Sequence, residues 1–274
     1  MKKWSDWLGK TSDEDCFEYL ELCSKYSKAD LTGKVQLCKD WAVEEREKAQ
    51  GKVAPKEHTV LDEQWYDSLK KDFSKPDYTV YGAEDYVCET WACWQRYTSE
   101  KMLRVVPFFQ VNYDKIKTIA DLGCGSAYTT AALTEILPNA KVTGTNTGGT
   151  PQFDMNLEIG KNVGFEMISS EDDVYSKLGH QDCIFAMEFF EHIDDPFKMI
   201  DEIHAKCSPK YIVCANTFEY PSIGHFNRYP NEKGEYVDGF EFAKLWKEHM
   251  ANLGYKQVNE SYYENHKPQI WELI

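Results

Sequence analysis

The stretch that most constrains this chain is residues 118–130, Thr-Ile-Ala-Asp-Leu-Gly-Cys-Gly-Ser-Ala-Tyr-Thr-Thr. Thr118 to Leu122 is a short apolar run closed by glycine, the pattern of a buried strand. Gly123 and Gly125 break it, and helical spacing resumes from Thr129 to Leu137. A strand, a glycine turn and a helix form the first βα unit of a nucleotide-binding α/β fold. Glycine lets the backbone approach a ligand that a Cβ would push away. The phosphate-cradling versions do not fit: there is no Gly-Lys-Ser/Thr, and the third glycine of the dinucleotide fingerprint is missing. Asp121 stands at the strand end, where a carboxylate would repel a pyrophosphate and suit a ligand carrying an ammonium group.

The rest of the chain alternates in the same way. Strands are expected at 141–145, 165–168, 183–187 and 211–215, with helices at 128–137, 152–161, 195–206 and 239–252. Two further strands, 255–262 and 269–274, follow Gly254 and close a hairpin. This alternation predicts an α/β fold with a parallel sheet, helices on both faces and an antiparallel last strand. The first 110 residues read as helical. Thr11 with Glu14 makes a possible capping box, a second helix is expected over 34–50, and a short piece over 65–69. Two helices are expected between 84 and 110, broken near Thr98-Ser99, with Tyr86, Trp91, Trp94, Tyr97, Phe108 and Phe109 crowding them. Aromatics of this kind mostly pack an extension onto a core, and could also line a pocket. The division is a helical N-terminal extension or cap over 1–85 and an α/β domain over 86–274.

Composition narrows the function classes. The 274 residues suffice for one α/β domain and an extension. No run of 18 apolar residues exists, so no membrane span is expected. The opening Met-Lys-Lys-Trp-Ser-Asp-Trp lacks the apolar centre of a signal peptide. Nine cysteines with no CxxC pair point to reduced thiols and a cytoplasmic protein. The net charge of −15 and pI near 4.9 argue against duplex nucleic acid as a partner, since no basic run is longer than Lys70-Lys71.

Ligands of such sheets bind outside the carboxyl ends of the strands. Strand one brings Asp121, Gly123 and Gly125 there; strand two brings Asn146 with Gly148 and Gly149; strand three brings Ser169 to Asp172, with Glu171 as an acceptor for an adenine amino group. Strand four runs Cys-Ile-Phe-Ala-Met-Glu-Phe-Phe-Glu-His-Ile-Asp-Asp-Pro over 183–196. Glu188, Glu191 and His192 stand at i, i+3 and i+4, which share one face of a helical turn. Two carboxylates and an imidazole suit a divalent cation. Without one, like charges about 4 Å apart repel by roughly 1–4 kcal/mol. The plain alternative is a solvated acidic loop.

Asp-Leu-Gly-Cys-Gly-Ser-Ala, residues 121–127, resembles motif I of the class I S-adenosylmethionine (SAM)-dependent methyltransferases, with Ala127 where that family usually has a third glycine. Glu-x-x-Glu-His followed by Ile-Asp-Asp-Pro resembles the strand-four segment of ubiquinone-type O-methyltransferases and of small-RNA 3′-terminal 2′-O-methyltransferases. The resemblance covers about residues 90–270. It implies a Rossmann-like, seven-stranded, mostly parallel sheet. It implies SAM as cofactor, held by Asp121, Gly123, Gly125, Asn146, Glu171 and Met187. Asn146 departs from the family's Asp or Glu, which accepts the ribose hydroxyls. It also implies a divalent metal, magnesium, manganese or zinc, on Glu188, Glu191, His192 and, from the loop after strand five, His225, with Glu191 and His192 as the catalytic pair. The expected activity is O-methylation of a small-molecule hydroxyl. The alternatives are RNA 2′-O-methylation and a non-catalytic adenosyl-ligand-binding module. Amino-methylation of DNA and C5-methylation of bases are disfavoured, because their Pro-Pro-Tyr/Phe and Pro-Cys signatures are missing after strand four.

Overall fold

The structure is a computed structural model that describes residues 3–10, 12–28, 60–73, 75–82, 94–170, 173–259 and 267–274, with isolated positions between 30 and 47. Nine strands are described: β1 Thr118–Asp121, β2 Lys141–Asn146, β3 Glu166–Ser169, β4 Cys183–Met187, β5 Tyr211–Ala215, β6 Arg228–Pro230, β7 Tyr236–Asp238, β8 Tyr255–Gln257 and β9 Gln269–Leu273. Seven form one sheet in the order β3-β2-β1-β4-β5-β9-β8. The first five run parallel; β9 is antiparallel to both β5 and β8. Asp121 pairs in register with Gly144 and Phe185, and Met187 with Ala215, so the carboxyl ends of β1, β2, β4 and β5 share one edge. The order reverses between β1 and β4, the switch point at which such sheets bind ligands.

Every residue of β4 and β5 is buried, as expected where helices cover both faces. The period of two then sorts them. Cys183, Phe185 and Met187 enter one apolar layer, with Met102, Val105, Phe109, Ala131 and Leu133. Ile184 and Ala186 enter the other, with Ile200, Ile203, Phe242 and Trp246. Eight α-helices are described: α1 Asp13–Ser27, α2 Val60–Lys71, α3 Trp94–Asn112, α4 Tyr128–Ile136, α5 Pro151–Val163, α6 Val174–Leu178, α7 Pro196–Cys207 and α8 Gly239–Asn252. The N-terminal elements enter the same two layers. Trp4, Leu20 and Cys23 belong to the first, and Leu61, Trp65, Leu69 and Val80 to the second. The chain start is tied down by Glu135 of α4, which accepts from the Trp4 and Ser5 N–H groups and the Ser5 hydroxyl at 2.7–2.9 Å.

Several boundaries differ from expectation. The capping box is Ser12 with Asp15, with the Ser12 hydroxyl accepting from Asp15 N–H at 3.1 Å. The short piece expected over 65–69 is the twelve-residue α2. α3 runs unbroken through Thr98-Ser99 and carries Pro107 inside it. Met102, Val105 and Phe109 recur on one buried face of α3, and packing of that stripe outweighs weak local helix signals. The β6–β7 hairpin and the five-residue α6 were not anticipated, being too short to show a period. The helix expected over 34–50, and Tyr86 and Trp91, lie outside the described residues or almost so. Among the described residues no helix is long and apolar enough to cross a membrane. Cys23, Cys124, Cys183, Cys207 and Cys214 are buried thiols outside any disulfide.

Candidate active site

The glycine turn is built first. Gly123 and Gly125 have φ of +62° and +53°, a region that favours glycine. A Cβ on Gly123 would also stand 2.5 Å from Phe189 Cδ2, so the Phe189 ring lies directly on the turn. Gly125 faces open space. Its carbonyl accepts two amides, Asn146 Nδ2 at 3.0 Å and Asn156 Nδ2 at 2.7 Å. Asn146 Nδ2 also reaches Gln152 Oε1 at 3.3 Å, and Asn146 Oδ1 accepts from the Thr147 N–H at 2.9 Å. This explains an amide at the end of β2: it donates to a carbonyl, which a carboxylate cannot do. Ala127 sits at φ +59°, fully buried, as the cap of α4. A left-handed alanine costs roughly 1–2 kcal/mol that a glycine would not.

Asp121 is 2% exposed. Its Oδ2 accepts from the Thr129 hydroxyl at 2.6 Å and the Thr130 hydroxyl at 2.7 Å, both in the first turn of α4. Burial pushes this carboxyl up to about 6, with the two hydroxyls opposing the shift. Met187 is buried at the end of β4. Burial, and then the nearby Asp121, push the Cys124 thiol far up, which fits a structural role for it. Glu171 lies outside the described residues.

Beyond β4 the chain turns sharply. Glu188 has φ +52°, and Phe190–His192 form a single 3-10 turn. The helical face expected of Glu188, Glu191 and His192 therefore does not form. Glu188 Oε1 is paired with Lys101 Nζ of α3, and its Oε2 accepts from the Thr217 hydroxyl at 2.7 Å. Glu191, wholly buried, accepts the Thr217 N–H at Oε1, 2.9 Å away. Glu191 Oε2 is buried with no hydrogen-bond partner among the described residues. The His192 and His225 rings meet edge to face with centroids 4.6 Å apart. Glu191, His192 and His225 each offer a ligand atom, all within 4.8 Å of one another. Of the four expected ligands, three come together and Glu188 is diverted to Lys101.

The surroundings suit a cation. Burial, and then the neighbouring Glu188, hold the Glu191 carboxyl well above the usual carboxylate range. An unpaired charge there would be costly, and a bound cation would remove that cost. Burial holds both imidazoles below the ordinary histidine value, His192 further than His225, so both are neutral as ligation requires. His225 Nδ1 donates to the Tyr220 carbonyl at 2.9 Å, so Nε2 is the atom it would offer a cation. One carboxylate oxygen and two imidazoles favour manganese, iron or zinc over magnesium or calcium. Tyr81, Lys101, Thr217 and Gly224 complete the site. None carried a signal in the sequence, because each acts through a partner far along the chain.

A seven-stranded sheet in this order, with a glycine turn after β1, is the Rossmann-like arrangement of methyltransferases, and part of the chain resembles O-methyltransferases in sequence. The ubiquinone biosynthesis O-methyltransferase of Pseudomonas paraeruginosa is 30% identical over 96 residues, 34% of this chain and 40% of that protein. The enzyme of the same name from Pseudomonas savastanoi pv. phaseolicola is 27% identical over 169 residues, 58% of this chain and 66% of that protein. The chain thus spans less than half the length of the first curated relatives it matches. Among solved structures, the methyltransferase domain of bacterial CtHen1-CN aligns with 62% of this chain and 95% of that one, at 16% identity and a TM-score of 0.41. No protein-family model matches the chain.

Proposed function

We propose that this chain is a SAM-dependent methyltransferase that methylates a hydroxyl of a small molecule with the help of a divalent cation. The observation that carries the reading is the Glu191, His192 and His225 cluster, with its unpartnered buried carboxylate oxygen, on the same sheet edge as the glycine turn. The sequence likeness to O-methyltransferases supports SAM and a hydroxyl acceptor. The net charge of −15 supports a small acceptor over a polyphosphate backbone.

When bound, SAM supplies an electrophilic methyl group and the cation a Lewis acid that lowers the pKa of an acceptor hydroxyl. The chain supplies the rest. Asp121 sets a negative charge at the end of β1 for the ammonium group of SAM, held in place by two threonine hydroxyls. Asn146 and Asn156 hold the Gly125 carbonyl inward and keep the turn open. Met187 and Phe189 present apolar surface beside it. Glu191, His192 and His225 hold the cation, and Thr217 fixes Glu191 and Glu188 together. Alignment of two reactants in such a site is worth roughly 7–11 kcal/mol.

The test is transfer of labelled methyl from SAM to a panel of phenols and catechols, and to an RNA 3′-terminal ribose, with manganese and with chelator. A small hydroxyl acceptor should be methylated, chelator should stop turnover, and calorimetric SAM binding should persist. Absence of SAM binding would sink the whole reading. Full turnover in chelator would sink the cation alone, and methylation of the RNA end only would move the acceptor class.

A further inference from the structure

The segment 60–82, outside the α/β alternation, reaches both histidines of the cluster. Trp65, fully buried in α2, donates its Nε1–H to the backbone carbonyl of His225 at 2.7 Å. Tyr66 donates its hydroxyl to the Ser222 carbonyl in the same loop at 3.3 Å. Tyr81, from the 3-10 turn Tyr78–Gly82, places its hydroxyl 3.0 Å from His192 Nδ1. The loop itself is shaped for this contact. Gly224 has φ +82°, and a Cβ there would stand 1.9 Å from the Tyr81 hydroxyl and 2.7 Å from His192 Nδ1. Only a residue without a side chain leaves room for the two to meet.

We infer that Tyr81 is a positioning residue for His192, and that α2 and the Tyr78–Gly82 turn form a wall of the cation site, with Tyr81 orienting one imidazole and Trp65 anchoring the loop of the other. The inference rests on the cation reading proposed above. A ring nitrogen engaged by a neighbour cannot ligate, so the Tyr81 hydroxyl at Nδ1, acting beside the hydrogen bond that the Gly224 backbone makes with the same ring, assigns Nε2 of His192 to the cation and holds the ring plane. His225 is set the same way by the Tyr220 carbonyl. Such outer partners typically change metal affinity by about 10–100-fold. Tyr81 also packs against Trp65 and Tyr78, with ring centroids 6.3 and 6.2 Å apart, so removal of the hydroxyl alone leaves its packing in place.

The experiment is calorimetric titration of the full chain with Mn²⁺, and the visible spectrum of bound Co²⁺, for wild type, Tyr81→Phe, Trp65→Phe and, as control, Tyr113→Phe at an exposed tyrosine just past α3. Tyr81→Phe should lower Mn²⁺ affinity about 10–100-fold and shift the Co²⁺ bands, with SAM affinity and metal-free melting temperature unchanged. Trp65→Phe should weaken Mn²⁺ binding as well, and Tyr113→Phe should match wild type. A Tyr81→Phe protein that binds Mn²⁺ as wild type does, with the same Co²⁺ spectrum, overturns this inference alone. A wild type that binds neither metal overturns the cation reading beneath it.

Discussion

Asp121→Asn should make the ligand-free protein more stable while removing its hold on SAM. The carboxyl is 2% exposed and pushed up to about 6 by burial, against about 3.9 in an unfolded chain. The folded state therefore holds the proton more tightly, and between those two values stability falls as pH rises. The stability that the neutral carboxyl contributes is complete below about pH 4 and lost once pH passes about 6. The difference corresponds to about 3 kcal/mol at neutral pH. An asparagine oxygen can still accept from Thr129 and Thr130, and its buried N–H₂ group costs about 1 kcal/mol if it finds no partner. The net gain is about 2 kcal/mol, which for a chain of this size is roughly a 4–8 °C rise in melting temperature. Thermal melts of both proteins from pH 4 to 8 read it directly: the gap should open between pH 4 and 6 and then stay level. SAM affinity of the wild type, measured by calorimetry over the same range, should strengthen as the carboxylate forms. A gap independent of pH, or a variant less stable than wild type at pH 8, would show that Asp121 is not a desolvated carboxylate.

Three further outcomes follow from named contacts. Lys101→Met removes the ammonium group that holds Glu188 and acts on Glu191, and Mn²⁺ binding should tighten at least about fivefold, since a nearby unit charge is worth at least about 1 kcal/mol; a calorimetric affinity equal to wild type would remove Lys101 from the electrostatics of the site. Asn146→Asp should lower the melting temperature by an amount equivalent to about 1–3 kcal/mol, because Gln152 Oε1 loses its donor, the Gly125 carbonyl keeps only Asn156 Nδ2, and the new carboxylate faces both oxygens; a more stable Asp variant with tighter SAM binding would mean that this position meets the ribose instead. Gly224→Ala should weaken Mn²⁺ binding, and less so in a Tyr81→Phe background where the colliding hydroxyl is gone, so that a double-mutant cycle shows clear coupling. Strict additivity would mean that the two residues do not meet.

The sequence by itself determined the α/β alternation, the glycine turn and the identity of the acids after β4. Those features are local: burial on both faces of a parallel strand writes a continuous apolar run, and a left-handed turn demands glycine within two or three residues. Resemblance gave a seven-stranded, mostly parallel sheet but not its order β3-β2-β1-β4-β5-β9-β8, since pairing between strands leaves no mark on either alone. What only the tertiary structure decided is which side chains meet. Glu188 reads as a ligand by its spacing from Glu191 and His192, yet its own backbone turns to φ +52°, and it pairs with Lys101, 87 residues away, and with Thr217, 29 residues away. The amide of Asn146, a departure in sequence, became intelligible once the Gly125 carbonyl stood in front of it. Tyr81 reaches His192 across 111 residues. Spacing along a chain reports neighbours within a turn or two of helix. Contacts across tens of residues are set by how helices pack onto the sheet, and burial then decides which charges are paired and which are left for a ligand.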